Sequence, residues 1–380
     1  MAGALPPRFV AYEDFVERAR KVLPPPVFTY LQAGIGEEMG LRRNRTDLQS
    51  VVLVPKISGD MNPAAPAVDV FSRRWTYPFA VAPVGTPGIF CPGAERALAK
   101  AAREIGIPFV LSTVASATIE DVAPVAGENF WFQLYPIRNE EARSDIIARA
   151  AKTGCDVMMV TVDIPKGQRR EKAMRSGVQP PVRLAPLIRM APFYPRWALR
   201  MIKGPNPEVM NIKPYMKAAE NMGDMSQPFG TREVAEVRKA WRGKLLVKGV
   251  LDAGAAAAMV EAGADGIVVS NHGGRQLDAA PSPVQVLPGI RQTVGSDITI
   301  LADSGATSGL DILRLLRLGA DMVMLGKYPY TAVGALGLGA ARPALDILCD
   351  QISTVMMQLG VRSVAELKDL TVSAPALDPV

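Results

Sequence analysis

The feature that most constrains the fold is a series of eight short apolar runs, each followed by a stretch typical of a helix. The runs are rich in Val, Ile, Leu, Met and Phe, as expected for strands buried on both faces. The stretches between them are rich in Ala and charged residues, and several end at Gly, where helices commonly stop. The runs are FAVAP (79–83), FVLS (109–112), FWFQLY (130–135), VMMVTVD (157–163), LLVKG (245–249), IVVSN (267–271), TILAD (299–303) and MVMLG (322–326).

This alternation predicts an α/β fold, a (β/α)8 TIM barrel. A doubly wound sheet is the main alternative, but eight units and the absence of GxGxxG after an early strand argue against it. The fourth and fifth runs begin at Val157 and Leu245, which leaves room for an insertion of about 60 residues beyond an ordinary barrel unit. We expect a single domain over residues 1–380, with an N-terminal helical cap (1–75) and an insertion or lid loop (171–230).

The location of the charge and of the cysteines bears on the cellular setting. Three scattered cysteines without a CxxC pair favour a reducing cytoplasm, and neither a signal peptide nor a membrane-spanning apolar stretch is visible. Residues 182–217 hold seven basic residues and one acid, an excess equal to the net charge of +6 of the whole chain. The segment also contains aliphatic and aromatic residues, so it favours either peripheral contact with the inner face of the cell membrane or a lid packed on the barrel. Nucleic-acid binding is not expected, because no recognised motif accompanies the patch.

Polar residues stand where the predicted strands end. The working residues of barrel enzymes lie at the carboxyl ends of the strands, where a strand with no function would end in an ordinary turn. So many polar groups at one end of the barrel therefore predict a site. They are Ser112, Gln133, Tyr135, Thr161, Asp163, Lys248, Ser270, Asn271, His272 and Asp303.

The stretch SNHGGRQLD contains His272, the only histidine of the chain. An imidazole suits proton transfer near neutral pH, and Arg275 on the same loop is suited to grip a carboxylate. Asp163 is placed to orient the imidazole. A lone histidine, a strand-end lysine and a helix-capping aspartate each have an ordinary structural explanation. One site that removes a proton beside a carboxylate explains all three together.

These motifs resemble the FMN-dependent α-hydroxy acid dehydrogenases and oxidases over about residues 12–370. SNHGGRQLD, LVKGVL, WFQLY, TVDIPKGQRR and ILADSG carry the resemblance. FVLSTVASATIEDVAP and YPRWALRMIKG are similar to the bacterial quinone-linked L-lactate and (S)-mandelate dehydrogenases within that family. The resemblance implies FMN as cofactor, oxidation of an (S)-2-hydroxy acid to the 2-oxo acid, and transfer of the electrons to a quinone or similar acceptor. It also implies a homotetramer, and membrane association through the basic segment.

The resemblance further implies a role for each matched residue. His272 is the base with Asp163 as its partner, Tyr135 contacts the substrate hydroxyl, and Lys248 stabilises negative charge on the reduced flavin. The residues expected to bind the substrate are Tyr30, Tyr135, Arg170 and Arg275. Those expected to bind FMN are Val84, Gly85, Ser112, Gln133, Thr161, Lys248, Ser270, Asp303, Gly305, Gly326 and Lys327, the last three at the phosphate. No metal is implied.

Several positions depart from the family pattern. Thr307 and Lys327 each stand where the family usually has an arginine, so the affinity for FMN is in question. Val114 replaces the tryptophan of glycolate oxidase-like members, which widens the pocket. Gly85 is typical of dehydrogenases, whereas alanine there is typical of oxidases. Two alternatives stay open, an oxidase that passes electrons to O2 and forms H2O2, and a catalytically degenerate barrel that acts as a binding protein.

Overall fold

The computed structural model describes residues 5–56, 65–167, 170–176, 188–216 and 227–373. The strands in these residues are β1 (Val52–Leu53), β2 (Val68–Val70), β3 (Arg73–Trp75), β4 (Phe79–Val81), β5 (Phe109–Ser112), β6 (Phe130–Leu134), β7 (Val157–Thr161), β8 (Lys244–Val250), β9 (Gly266–Val269), β10 (Thr299–Ala302), β11 (Met322–Leu325) and β12 (Val372–Ser373). The α-helices are α1 (Tyr12–Val22), α2 (Pro25–Gln32), α3 (Met39–Ser50), α4 (Ala94–Ile105), α5 (Ile119–Ala126), α6 (Glu140–Lys152), α7 (Glu171–Arg175), α8 (Pro195–Lys203), α9 (Thr231–Ala240), α10 (Ala253–Glu261), α11 (Pro283–Val294), α12 (Gly309–Arg317), α13 (Lys327–Leu336), α14 (Ala341–Leu359) and α15 (Val364–Lys368). Single-turn 3₁₀ helices lie at Pro87–Ile89, Gly127–Asn129, Ala191–Phe193, Lys213–Tyr215 and Leu338–Ala340.

Strands β4 to β11 form one closed barrel, which confirms the predicted (β/α)8 fold. Each strand pairs in parallel with the next in sequence, and β11 closes the barrel on β4. Six of these eight strands are buried at every residue. Helices cover their outer face and the barrel core covers the inner face, which is why the sequence shows continuous apolar runs instead of alternation.

Most of the barrel strands end before the predicted apolar runs do. Strand β9 ends at Val269 and β10 at Ala302, so the polar residues of these runs lie in the loops that follow. The backbone turns left-handed just beyond, at His272 (φ 58°), Ser304 (φ 73°) and Gly305 (φ 107°). Such a turn ends the pairing of a strand and lets the loop fold back over the mouth of the barrel.

The N-terminal helices lie against the outside and the mouth of the barrel. Helix α1 packs on α13 through Phe15, whose ring meets Tyr328 edge-on with centroids 5.8 Å apart. Helix α3 reaches the loop after β9, where the side-chain amides of Asn44 and Asn271 bond each other. Strands β1 and β12 pair and join the N-terminal segment to the end of the described chain. The division into a cap (1–75) and a barrel stays a prediction.

The segment between β7 and β8 packs over the loops after β4 and β5. Trp197 of α8 is buried, and its indole N–H donates to the carbonyl of Ile89 at 2.8 Å. The Asn211 side chain bonds both the Ala117 carbonyl and the Ile119 N–H. The segment therefore lies along the mouth of the barrel. Residues 177–187 and 217–226 of the predicted insertion (171–230) lie outside the described residues.

Candidate active site

A cavity of about 660 Å³ opens at the carboxyl ends of the barrel strands. Its wall is formed by the N-terminal helices, the strand ends and the segment between β7 and β8. The predicted site residues that line it are Tyr30, Val84, Gly85, Tyr135, Arg170, Lys248, His272, Arg275, Asp303, Gly305, Gly326 and Lys327. The others, Ser112, Gln133, Thr161, Asp163 and Ser270, lie behind this wall, where they bond one another or the lining residues. The structure thus brings the predicted residues together at one end of the barrel.

His272 is held by its backbone and by a carboxylate. Its N–H donates to the Ser270 hydroxyl at 3.0 Å, and its Nδ1 lies 3.1 Å from both carboxylate oxygens of Asp163. An ionised carboxylate only accepts hydrogen bonds, so the neutral imidazole carries its hydrogen on Nδ1. This assignment leaves Nε2 as the basic nitrogen.

Glycine permits the close approach of this pair. Gly249 lies in β8 and has a φ of 100°. A Cβ at this position would lie 2.5 Å from Cγ of Asp163. Any larger residue would therefore push Asp163 away from His272. The sequence signal is the glycine that directly follows Lys248, although its purpose becomes visible only in the structure.

Burial and charge set the protonation of the pair. Burial alone would raise the pKa of Asp163, but His272 and Lys248 together hold that pKa below its ordinary value. Burial lowers the pKa of His272 and outweighs the neighbouring Asp163 carboxylate, which raises it. At neutral pH the pair is therefore a carboxylate and a neutral imidazole, the state needed to accept a proton.

Lys248 places a buried cation between β8 and its neighbours. Its side chain is 5% exposed, and Nζ lies 2.7 Å from the Ser270 hydroxyl and 2.9 Å from Oδ2 of Asp303. The Asp303 carboxylate also accepts from Ser304 at 2.7 Å. A buried ammonium needs such a partner, and the arrangement presents a fixed positive charge beside the cavity.

Three polar side chains form a row across the neighbouring strands β5, β6 and β7. The Ser112 hydroxyl donates to the side-chain oxygen Oε1 of Gln133 at 2.9 Å, and the side-chain Nε2 of Gln133 donates to the Thr161 hydroxyl at 2.9 Å. All three are buried. The parallel register pairs Ser112 with Gln133, which explains why these side chains meet. A satisfied buried polar row of this kind fixes the positions of its members.

Two arginines lie on the wall nearest α2. Arg275 donates to the carbonyls of Tyr30 at 2.6 Å and Leu31 at 3.1 Å, and its guanidinium lies 5.6 Å from the Tyr30 ring centre. Burial, reinforced by the like charge of Arg170, lowers the pKa of Arg275 to about 9. Two cations at one wall make this part of the cavity suited to an anion.

Two phenols face the same part of the cavity. The Tyr30 hydroxyl donates to the Gly85 carbonyl at 3.2 Å. Burial and, to a smaller extent, the negative charge of Asp163 raise the pKa of Tyr135 well above its ordinary value. Tyr135 is therefore a neutral hydrogen-bond donor at any working pH.

Sequence reasoning missed the contacts of α3 with the barrel loops. Asn44 is buried and exchanges hydrogen bonds of 2.8 and 2.6 Å with Asn271, and the Asp278 carboxylate accepts from the Gly40 N–H at 2.8 Å. Arg45 donates to the Gly305 carbonyl at 2.7 Å. The available signal was an asparagine on the same face of α3 as Gly40, a position where an apolar residue is usual.

A barrel that sets a carboxylate-oriented imidazole beside two arginines and a buried lysine defines an enzyme for a carboxylate substrate. The family model for FMN-dependent dehydrogenase matches residues 19–374. The chain belongs to this family.

Relatives and solved structures agree with that assignment. The L-lactate dehydrogenase of Haemophilus influenzae (strain PittEE) is 36% identical over 364 residues, 93% of this chain and 96% of the relative. The monotopic membrane protein (S)-mandelate dehydrogenase superposes with a TM-score of 0.88 at 31% identity, covering 97% of this chain and 100% of that one. A mandelate oxidase variant with the C4a-OH-FMN adduct superposes with a TM-score of 0.82 at 33% identity, covering 95% of this chain and 99% of that one.

The residues of the cavity fit FMN. A Cβ at Gly85 would lie 2.9 Å from the Val114 side chain. With glycine at this position, the cavity wall presents backbone and no side chain here. The Lys248 ammonium suits the polar edge of a flavin ring, and the loop at Gly305 together with Lys327 suits a phosphate. The chain is an FMN-dependent 2-hydroxy acid oxidoreductase.

Proposed function

We propose that this enzyme oxidises an (S)-2-hydroxy acid with an apolar side chain, such as L-lactate or (S)-mandelate, and passes the electrons to a membrane quinone. The observation that carries the proposal is His272, held by Asp163 from behind the wall, in one cavity with Arg170 and Arg275. Anaerobic bleaching of the flavin by one of these acids, with no bleaching by its (R) enantiomer, tests the reaction and its stereochemistry.

In the proposed mechanism, FMN supplies the two-electron acceptor when it is bound. Arg275 and Arg170 bind the substrate carboxylate as a charge-assisted pair, with Tyr30 beside them. Tyr135 donates to the oxygen of the reacting carbon. His272 takes a proton from the substrate at Nε2, and Asp163 stabilises the imidazolium that forms. Lys248 lies where it balances the negative charge that reduction brings.

The other lining residues support an apolar substrate side chain. Val114, Val209, Ile212 and Met216 line the cavity, three of them from the segment between β7 and β8. None of these four side chains carries a hydrogen-bond donor or a strong acceptor, so the wall favours methyl, alkyl or phenyl groups.

Replacement of Val114 by tryptophan tests the substrate pocket. Val114 packs against the backbone at Gly85, so a larger side chain there fills space beside the reacting carbon. We expect kcat/KM for (S)-mandelate to fall about 5- to 150-fold, as overpacking costs about 1–3 kcal/mol, while kcat/KM for L-lactate changes little. Steady-state rates with both acids measure this. Val114→Ala is the control and should lower neither rate; an equal loss with both acids in Val114→Trp would contradict the proposed pocket.

The quinone proposal rests on the outer surface of the segment that lines the cavity. Phe193 and Ile202 are 80% and 82% exposed, and the basic residues Arg189, Arg196 and Lys203 are exposed around them. We call these five residues the insertion patch. Exposed apolar groups flanked by cations suit an anionic membrane surface.

The same segment connects the insertion patch to the cavity. Trp197 anchors α8 on the barrel, and Val209 and Ile212 reach the cavity from the same segment. An acceptor dissolved in a membrane would then lie close to the flavin. The described residues hold no helix both long and apolar enough to cross a membrane. The insertion patch supports a proposed location at the inner face of the cell membrane; the tetramer stays a prediction.

The double variant Phe193→Asp/Ile202→Asp tests the insertion patch. Removing two exposed apolar side chains that would insert into the membrane surface, and adding negative charge, should weaken binding to anionic vesicles about tenfold or more. We expect quinone reduction in vesicles to fall in parallel, while substrate-driven flavin reduction is unchanged. Sedimentation with vesicles and stopped-flow absorbance measure the two. Met357→Asp, an exposed apolar residue outside the patch, is the control. Unchanged vesicle binding in the double variant would refute this role, and reoxidation by O2 faster than by quinone would favour the oxidase alternative.

A further inference from the structure

One end of the cavity lies where the loop after β10 meets the start of α13 and the end of α2. Gly305 and Thr307 of this loop, Lys327 of α13 and Arg45 of α3 all line it. A glycine-containing loop with basic side chains around it is suited to bind a phosphate. The phosphate of FMN carries about −1.5 to −2 charges at neutral pH, as phosphate monoesters do, and requires cations to balance it.

Thr307 and Lys327, which stand where the family usually has arginines, supply little charge at this end of the cavity. Thr307 directs both its N–H and its hydroxyl to Oδ2 of Asp311, at 3.0 and 3.3 Å. Lys327 donates to the Gln32 carbonyl at 2.7 Å. Burial and, to a smaller extent, the like charge of Arg275 lower the pKa of Lys327 to about 7. Without a bound anion, Lys327 is therefore only partly charged at neutral pH.

Arg45 brings a cation to the same place from a different part of the chain. Its Nη1 donates to the Gly305 carbonyl and to Oδ2 of Asp311, both at 2.7 Å, and its side chain is 33% exposed. Within the described residues Nε and Nη2 make no hydrogen bond. Asp311 also pairs with Arg314 at 3.2 Å. One carboxylate between two guanidiniums leaves a positive charge uncancelled.

We propose that Arg45 supplies the guanidinium that binds the FMN phosphate, in place of the arginine that this chain lacks at Thr307. Asp311 positions Arg45 through Nη1 and leaves its other nitrogens for the anion. Cofactor binding then depends on α3, which joins the N-terminal helices to the barrel loop. This inference rests on FMN as the cofactor and not on the proposed substrate or acceptor, so its failure would leave those untouched.

Binding of FMN and of riboflavin to the flavin-free protein, followed by flavin fluorescence, tests the proposal. Riboflavin lacks the phosphate but keeps the ring and the ribityl chain. Arg45→Met should raise the Kd for FMN about 10- to 100-fold, the effect of losing charge-assisted hydrogen bonds, and should leave the Kd for riboflavin unchanged. Arg42→Met is the matched control, because Arg42 is an exposed arginine of the same helix that bonds the Glu37 carbonyl. It should change neither value.

The double variant Arg45→Met/Thr307→Arg provides a rescue. Thr307 lines the same end of the cavity, so an arginine there should restore much of the FMN affinity without affecting riboflavin. An Arg45→Met protein that loses affinity for both flavins equally, or for neither, would overturn the proposal. If Arg45→Met does not fold, Arg45→Lys keeps the charge beside Asp311. It should weaken FMN binding to a smaller extent and leave riboflavin unchanged; a loss with both flavins would overturn the proposal again.

Discussion

His272→Gln is expected to lower the rate of substrate-driven flavin reduction by about 10²- to 10⁴-fold, the usual contribution of a positioned general base. Glutamine keeps a polar side chain of similar length but cannot take a proton at neutral pH. FMN should stay bound, because none of the hydrogen bonds of the Ser112–Gln133–Thr161 row involves His272. Anaerobic stopped-flow absorbance at the flavin band gives the rate.

The backbone at this position requires a second variant. His272 has φ 58°, a left-handed conformation that asparagine adopts more readily than most residues. His272→Asn should therefore lose the rate to a similar extent with little backbone strain. Chemical reduction of the flavin by dithionite should bleach both variants fully and shows that the cofactor is intact. If the substrate reduced the flavin of either variant as fast as that of the parent enzyme, His272 would have no place in the proposed mechanism.

Arg275→Met is expected to lower kcat/KM for the hydroxy acid by about 30- to 4,000-fold. The range follows from the roughly 2–5 kcal/mol lost when one partner of a buried charge pair is removed. The loss should be specific for the carboxylate. We therefore expect the preference of the enzyme for the acid over the corresponding 2-hydroxy amide to collapse in the variant. Steady-state rates with the acid and the amide measure that ratio.

Arg275 also bonds the carbonyls of Tyr30 and Leu31, so its loss has a structural component. Arg275→Lys separates the two effects because it keeps the charge and loses the planar fork of donors. It should retain part of the preference for the acid. If Arg275→Met lowered kcat/KM for the acid and for the amide equally, Arg275 would maintain the structure of the site and would not bind the substrate carboxylate.

Much of this architecture could be predicted from the sequence for a physical reason. Strands buried on both faces leave uninterrupted apolar runs, and polar residues at the ends of several such runs are explained together by one site at the mouth of the barrel. His272, Lys248 and Asp303 were found in that way, and all three lie at the mouth of the barrel. The resemblance to the family then supplied their expected roles, which the geometry alone does not test.

The parts that escaped prediction depend on contacts between distant parts of the chain. Arg45 meets Gly305 across 260 residues, and Trp197 meets Ile89 across 108. A helical pattern shows which residues share a face but not which loop that face meets. The same limit applied to Gly249, whose close approach to Asp163 is a property of two neighbouring strand ends.

The most direct test of the account is the visible spectrum of the purified protein under anaerobic conditions, before and after addition of L-lactate and then (S)-mandelate. We predict a yellow protein with a flavin spectrum that bleaches with at least one of these acids and not with its (R) enantiomer. A flavin spectrum unchanged by either acid would contradict the proposed reaction while leaving the cofactor in place. A protein that stays colourless when FMN is supplied would contradict the site itself and favour a barrel that acts only as a binding protein.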